Sequence, residues 1–276
     1  MPAPGIFDVV LEREEGTPRC LLEEEYGAAL LIGRGRVAVN FVSTIDGVVS
    51  FGLDADDSRA IGGGVRADRV LMAMLRAIAG VIVVGAGTLR ATRNHQWTAQ
   101  ALAADRGDDL AALRRAAGRP AQPASLLVVS AGGSIPSDAV AIANPAVPVH
   151  VLTGDGVTAA VSAHAAQAGG EHVAAQISAA VIVEAATALA GGGPVLCEGG
   201  PHLLGSLLSG KVPVDLFLTV APQLAGRGPD STERLSLVEG AAFDAFTRAG
   251  ALRSVRRSGD HLLLRYGVDA VVHDPS

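Results

Sequence analysis

"VIVVGAGTLR", residues 81–90, is the stretch whose reading decides the fold. Its four consecutive β-branched residues leave no polar face, which is the composition of a strand buried on both sides in a parallel sheet. The run passes without a linker into Gly85-Ala86-Gly87-Thr88. Two glycines at a strand end let backbone approach a ligand closely, and a threonine there caps a helix or donates to a phosphate. Open α/β sheets bind ligands at such turns, beyond the carboxyl ends of their strands. Arg90 replaces the last glycine of the full G-x-G-x-x-G fingerprint. Taken alone, the turn is equally an ordinary strand-to-helix connection.

A second stretch repeats the pattern. "PVLCEGGPHLLGSLLSG" (194–210) reads as strand, turn and helix, with Glu198 at the break. Gly199 and Gly200 would present backbone amides where a helix dipole favours an anion, and Pro201 suits a first helical turn. Two glycine-rich strand ends in one sheet point together at one phosphate-bearing ligand such as a dinucleotide. Glu198 is either a helix cap or a member of that site.

The rest of the chain alternates in the same way. Strands are predicted over 36–42, 125–130, 147–153 and 215–222, with extended chain continuing past a turn at Asp46-Gly47. Helices are predicted over 17–31 (Thr17 as N-cap, Pro18 at the first position), 65–80, 108–118, around 157–168 and over 178–190. Polar, glycine-rich 52–64 reads as a loop, and 251–268 alternates about Ser258-Gly259-Asp260 as an antiparallel hairpin. The expected architecture is a three-layer α/β domain over about 36–270, its sheet mainly parallel with the hairpin at an edge, preceded by a lead-in over 1–35.

Composition narrows the function classes. The net charge is −6, no dense basic run occurs, and aromatics make up 3% of residues. Nucleic-acid binding and anionic membranes are therefore poor fits. Cys20 and Cys197 form no metal-type pair. No apolar run reaches the ~18 residues of a membrane helix, the first residues lack a signal-peptide pattern, and a cytoplasmic protein without a metal is expected.

"VNFVSTIDG" (39–47) adds polar candidates: Asn40 interrupts an apolar strand and Asp46 sits in a turn that is equally a structural Asx turn. Asp57, Ser58 and Arg59 follow in the polar loop. In "RNHQW" (93–97), Arg93, His95 and Trp97 form either a substrate lid or a packed surface anchor.

Taken together, "FVSTIDG", "DSRAIGG", "GAGT", "EGGP" and "APQLAGRG", in that order, resemble the reductase domain of bifunctional riboflavin-biosynthesis deaminase/reductases over about 36–268. The resemblance implies a dihydrofolate-reductase-like fold and a homodimer. It implies NADPH held by Gly85, Ala86, Gly87, Thr88, Glu198, Gly199, Gly200 and Pro201, with Ser130 near the adenosine 2′-phosphate. It also implies hydride transfer to a phosphoribosylamino-pyrimidine, 5-amino-6-(5-phosphoribosylamino)uracil. Asn40, Asp46, Asp57, Ser58 and Arg93 would face this substrate, and Asp46 and Glu198 are the carboxylates placed for catalysis.

Two departures bear on the substrate. The zinc motif of a deaminase is missing, and "LRATRNHQW" stands where the family carries an acidic segment. The family's phosphate-holding arginine has counterparts in either Arg66 or Arg69. A pterin or dihydrofolate reductase of the same fold, and a non-catalytic nucleotide-binding relative, are the alternatives.

Overall fold

The computed structural model describes residues 6–13, 16–52, 57–133, 135–136, 138–154, 171–173, 176–228, 234–243 and 249–269. In chain order its strands are β1 (Asp8–Glu12), β2 (Val37–Ser43), β3 (Val48–Ser50), β4 (Val81–Gly85), β5 (Ser125–Ser130) and β6 (Val149–Thr153). They continue with β7 (Glu171–Val173), β8 (Val195–Cys197), β9 (Val214–Val220), β10 (Leu235–Ser236), β11 (Gly250–Ser258) and β12 (His261–Val268). The helices are α1 (Leu21–Tyr26), α2 (Asp57–Gly62), α3 (Arg66–Ile78), α4 (Ala86–Ala91), α5 (Ala99–Leu102) and α6 (Gly107–Ala116). After them come α7 (Val140–Ala143), α8 (Ala179–Leu189) and α9 (Pro201–Ser209).

Ten strands form one sheet in the order β1-β11-β12-β9-β2-β8-β4-β5-β6-β7, and β10 pairs separately with β3. The run from β9 through β2, β8, β4, β5 and β6 to β7 is parallel, while β12, β11 and β1 add antiparallel strands at one side. This is the expected architecture. Period-two alternation explains the two core layers. In β4, Ile82 and Val84 face a layer with Leu71, Leu75 and Leu113, whereas Val81 and Val83 face Ile182, Ala186 and Leu204. Helices α3 and α6 thus cover one face of the sheet, and α8 and α9 the other.

Three local expectations need correction. The helix expected over 17–31 is only α1: its N-cap is Cys20 rather than Thr17, and it ends where Gly27 takes φ 84° and donates back to the Glu23 and Glu24 carbonyls. Beyond it the chain wraps the fully buried Glu23 carboxylate, which accepts from Arg19 Nη2 at 2.5 Å and from the Leu30 amide at 2.8 Å. The stretch 52–64 contains helix α2 rather than only loop. The lead-in is also more ordered than its mixed composition implies: β1 pairs with β11, and Phe7, Leu22, Tyr26 and Leu30 join the core layer of α3. The helix expected near 157–168 lies outside the described residues.

Candidate active site

β8 has three residues, and its brevity creates the site. It pairs with β2 only along Val37–Val39 and with β4 only along Val81–Val83. Both neighbours run further, β2 to Ser43 and β4 to Gly85. The sheet therefore has a notch at its carboxyl edge, entered by the Glu198-Gly199-Gly200 turn, with the Glu198 amide donating to the Val83 carbonyl at 3.0 Å. A cavity of about 580 Å³ opens there.

Both glycine-rich turns reach this cavity. Gly85, Gly87, Thr88, Glu198, Gly199, Gly200 and Pro201 all line it, and so does Asn40. The turns also touch one another. A Cβ on Gly199 would stand 2.3 Å from Leu203 Cδ2 and 3.3 Å from the Gly85 nitrogen, and one on Gly200 would stand 3.3 Å from Thr88 Oγ1. Any larger residue at 199 would collide with Leu203 of the following helix and crowd the Gly85 amide. No side chain caps the start of α9, and Pro201, His202 and Leu203 of its first turn face the cavity. This uncapped helix end beside bare backbone has the donor chemistry of a phosphate cradle, so the residues present fit a dinucleotide.

The cavity wall holds a buried ion pair. Arg76, on α3, donates Nε to Glu198 Oε1 at 2.9 Å and Nη2 to Oε2 at 2.5 Å, with side-chain exposures of 2% and 6%. The Arg76 guanidinium also stacks 4.8 Å from the Trp97 ring centre, and the His95 ring lies 5.3 Å from the same tryptophan. Trp97 holds φ 55°, a left-handed backbone that costs a non-glycine residue about 1–3 kcal/mol. Burial of its ring and the stack with Arg76 hold it there. Trp97 and His95 both line the cavity, and the Trp97 Nε1 donor is buried without a hydrogen-bond partner.

Other candidates are placed elsewhere. Asp46 is exposed and absent from the cavity wall; its carboxylate accepts from Thr44 Oγ1 at 2.6 Å and from the Ala225 and Gly226 amides at 3.1 and 2.7 Å. The Thr44 hydroxyl and these amides hold its pKa down to about 2. Asp46 thus ties the turn after β2 to the loop after β9. Ala86 packs into the core, and Ser130 is buried at the end of β5 away from the lining. Arg93 is exposed and pairs with Asp138 at 3.2 Å. The side chains of Asp57 and Ser58 lie outside the described residues. Arg66 forms an exposed pair with Asp105, and Arg69 donates to the Leu102 carbonyl at 2.8 Å, so neither reaches the cavity. Burial pushes the Cys197 thiol up to about 12, leaving it inert at the strand end.

Replacing Asp46 with Asn is expected to loosen the loop at 223–226, since the carboxylate accepts from the Ala225 and Gly226 amides. Limited proteolysis reads the effect, and an unchanged cleavage pattern would show that the turn holds without the charge. Because its pKa is depressed when folded, its contribution is present above pH 4 and fades only as pH falls toward 2.

Among the described residues, no helix is long and apolar enough to cross a membrane, and no cluster of His, Cys, Asp or Glu is arranged to hold a metal ion. A sequence comparison with curated proteins returns no match. Among solved structures, a pyrimidine reductase-like protein from Corynebacterium diphtheriae superposes with a TM-score of 0.63 at 20% identity, over 90% of this chain and 98% of that one. RibD from Acinetobacter baumannii gives 0.61 at 17% identity over 84% of this chain, which spans 58% of that longer protein. A diaminohydroxyphosphoribosylaminopyrimidine deaminase/5-amino-6-(5-phosphoribosylamino)uracil reductase from Thermotoga maritima gives 0.59 at 19% identity, over 85% of this chain and 57% of that one. These likenesses establish a shared fold. The family description "RibD C-terminal domain" matches residues 36–260, a span that contains β2, both glycine turns and the Arg76–Glu198 pair. By that match the chain belongs to the RibD C-terminal domain family.

Proposed function

We propose that the chain is an NADPH-dependent reductase acting on 5-amino-6-(5-phosphoribosylamino)uracil. One observation carries this: the two glycine turns, 113 residues apart in sequence (85 to 198), meet backbone to backbone at the rim of one cavity. Gly85, Gly87, Thr88, Gly199 and Gly200 would hold the dinucleotide by backbone and hydroxyl contacts. When bound, the cofactor supplies the hydride. The chain's own part is to bind, orient and exclude water, which is where such a site gains most of its rate. Arg76 holds both oxygens of Glu198, so Glu198 positions the glycine turn rather than exchanging a proton with the substrate. Apolar Val42, Met72, Leu203 and Leu235 line the wall and keep the reacting region dry.

Trp97, the single tryptophan of the chain, lies in the cavity wall and reports binding by its fluorescence. NADPH is expected to quench it, with a preference over NADH. Gly85 has open space where a Cβ would stand, so Gly85→Val adds bulk to the cavity without a clash in the fold. That variant is expected to weaken NADPH at least tenfold with an unchanged melting temperature. No NADPH binding to the wild type at millimolar concentration would sink the proposal. Oxidation of NADPH by dihydrofolate but not by the aminouracil phosphate would replace the substrate and keep the cofactor.

A further inference from the structure

Trp97 carries two local costs. Its backbone is left-handed at φ 55°, an outlier for a bulky side chain. Its indole N–H is buried and donates to nothing. Lys211, the other non-glycine residue with positive φ among the described residues, is exposed just past α9, where helices commonly end in that conformation. Trp97 ends no helix and is 3% exposed. Strain of this kind persists where the surroundings fix it, and it clusters at functional sites.

What fixes Trp97 is a guanidinium. The Arg76 guanidinium carbon lies over the indole, 4.8 Å from the ring centre, while the edge of the group is committed to both oxygens of Glu198. The next carbonyl in the chain, that of Thr98, accepts from Arg76 Nη1 at 3.4 Å, and the Thr98 hydroxyl caps α5 by accepting from the Ala101 amide at 3.2 Å. An arginine gripped at its edge by a carboxylate and on its face by a ring has one plane left to it. Glu198 directly precedes Gly199, whose Cβ position would stand 3.3 Å from the Gly85 nitrogen. The contacts Trp97–Arg76–Glu198 therefore lead from the 93–97 segment to the place where the two glycine turns meet.

The indole also separates two spaces. Trp97 and Arg76 line the large cavity, and both also line a void of about 20 Å³ whose wall includes Thr98, Gln100 and Arg114. That void has room for about one water. Without the indole the two spaces would join, and water would screen the ion pair. A substrate lid, the other reading of this segment, would be exposed until its ligand arrived and would offer it a free ring face. Here the ring is buried with Arg76 over it, and the His95 ring lies 5.3 Å away at 46°. We propose that Trp97 is a positioning residue for the cofactor: it fixes the plane of Arg76 and keeps water off the Arg76–Glu198 pair, so that Glu198 holds the second glycine turn in its binding position. This rests on the cavity being the dinucleotide site of the reductase proposed above. The aromatic face does the work and the indole N–H does not, so a phenyl ring should serve.

The test is calorimetric titration of NADP⁺ into wild type, Trp97→Phe, Trp97→Leu, Glu198→Gln and the double variant Trp97→Leu/Glu198→Gln. Trp97→Leu is expected to lose tenfold or more in NADP⁺ affinity, and Trp97→Phe to recover most of it. The double variant should bind no more weakly than Glu198→Gln alone, because the two residues act through one contact chain. In turnover, Trp97→Leu should raise KM for NADPH and leave KM for 5-amino-6-(5-phosphoribosylamino)uracil unchanged. Equal losses in the Phe and Leu variants, additive losses in the double variant, or a rise confined to the aminouracil KM would overturn the assignment. Wild-type NADP⁺ binding that Trp97→Leu leaves intact would overturn it alone, whereas a wild type that binds no NADP⁺ would remove the cofactor reading as well. If Trp97→Leu does not fold, fluorine NMR decides on protein labelled with 5-fluorotryptophan, which gives one resonance from the single tryptophan. That resonance is expected to move between wild type and Glu198→Gln, and an unmoved resonance would overturn the assignment.

Discussion

Replacing Glu198 with alanine is expected to cost about 3–5 kcal/mol of folding stability, the range for removing one partner of a buried ion pair. The cost comes less from the lost contact than from what remains. Arg76, with 2% of its side chain exposed, would keep its charge with only the Thr98 carbonyl at 3.4 Å, the Met72 sulfur at 3.8 Å and the face of Trp97 nearby. Pairing the change with Arg76→Leu should recover most of the loss, since apolar replacement of a whole buried pair is often neutral or stabilising. Urea unfolding of the wild type, both single variants and the double variant measures this. A loss below 1 kcal/mol for Glu198→Ala would mean that cavity water already screens the pair.

The second large effect has the opposite sign. Asp68→Asn is expected to stabilise the protein at pH 8, by up to about 3 kcal/mol for a pKa near 6 against the ordinary 3.8. Well below the ordinary 3.8, at about pH 2.5, the carboxyl is protonated in both folded and unfolded chains and costs nothing. As pH rises toward 6 the unfolded chain has released the proton and the folded chain still holds it, so stability falls. Above 6 the full cost of the buried charge is present. The variant should therefore approach the wild type at about pH 2.5 and exceed it at pH 8 in denaturant unfolding. Equal curves at both pH values would show that Asp68 is solvated.

Much of this was legible in the chain because the signals were local. "VIVV", "SLLVVS" and "PVLC" each lack a polar face, and a strand without one must be covered on both sides. Gly85-Ala86-Gly87-Thr88 and Glu198-Gly199-Gly200-Pro201 marked strand-to-helix turns for the same local reason. What the sequence withheld was distance. Arg76 and Glu198 are 122 positions apart, and nothing in "MLRAIAG" says that its arginine points inward. The one available signal was position, since Asp68 and Arg76 sit at helical spacing on the side of α3 that should be apolar. Arg66 and Arg69 looked like better anion ligands because they are nearer the polar loop, but they fall on the outer face. Asp46 drew attention as a turn carboxylate after a strand carrying Asn40; besides Thr44, its partners Ala225 and Gly226 lie 179 and 180 positions away in sequence. The shortened α1 reflects Gly27, whose left-handed backbone overrides the helical propensity of the residues around it.

The position of β8 has a consequence for the order in which the molecule is made. It is the eighth of the described strands to leave the ribosome, yet it lies inside the sheet between β2 and β4. Until it arrives, the nascent chain carries two apolar strands with open edges facing each other, "VAVNFVS" and "VIVVG". Such edges invite pairing with foreign strands. Glu198 and the second glycine turn come with β8, so filling the gap between β2 and β4 and completing the cavity rim are a single event. A chain stopped before residue 195 would lack both at once and should collect as aggregate during translation rather than as a partly active fragment.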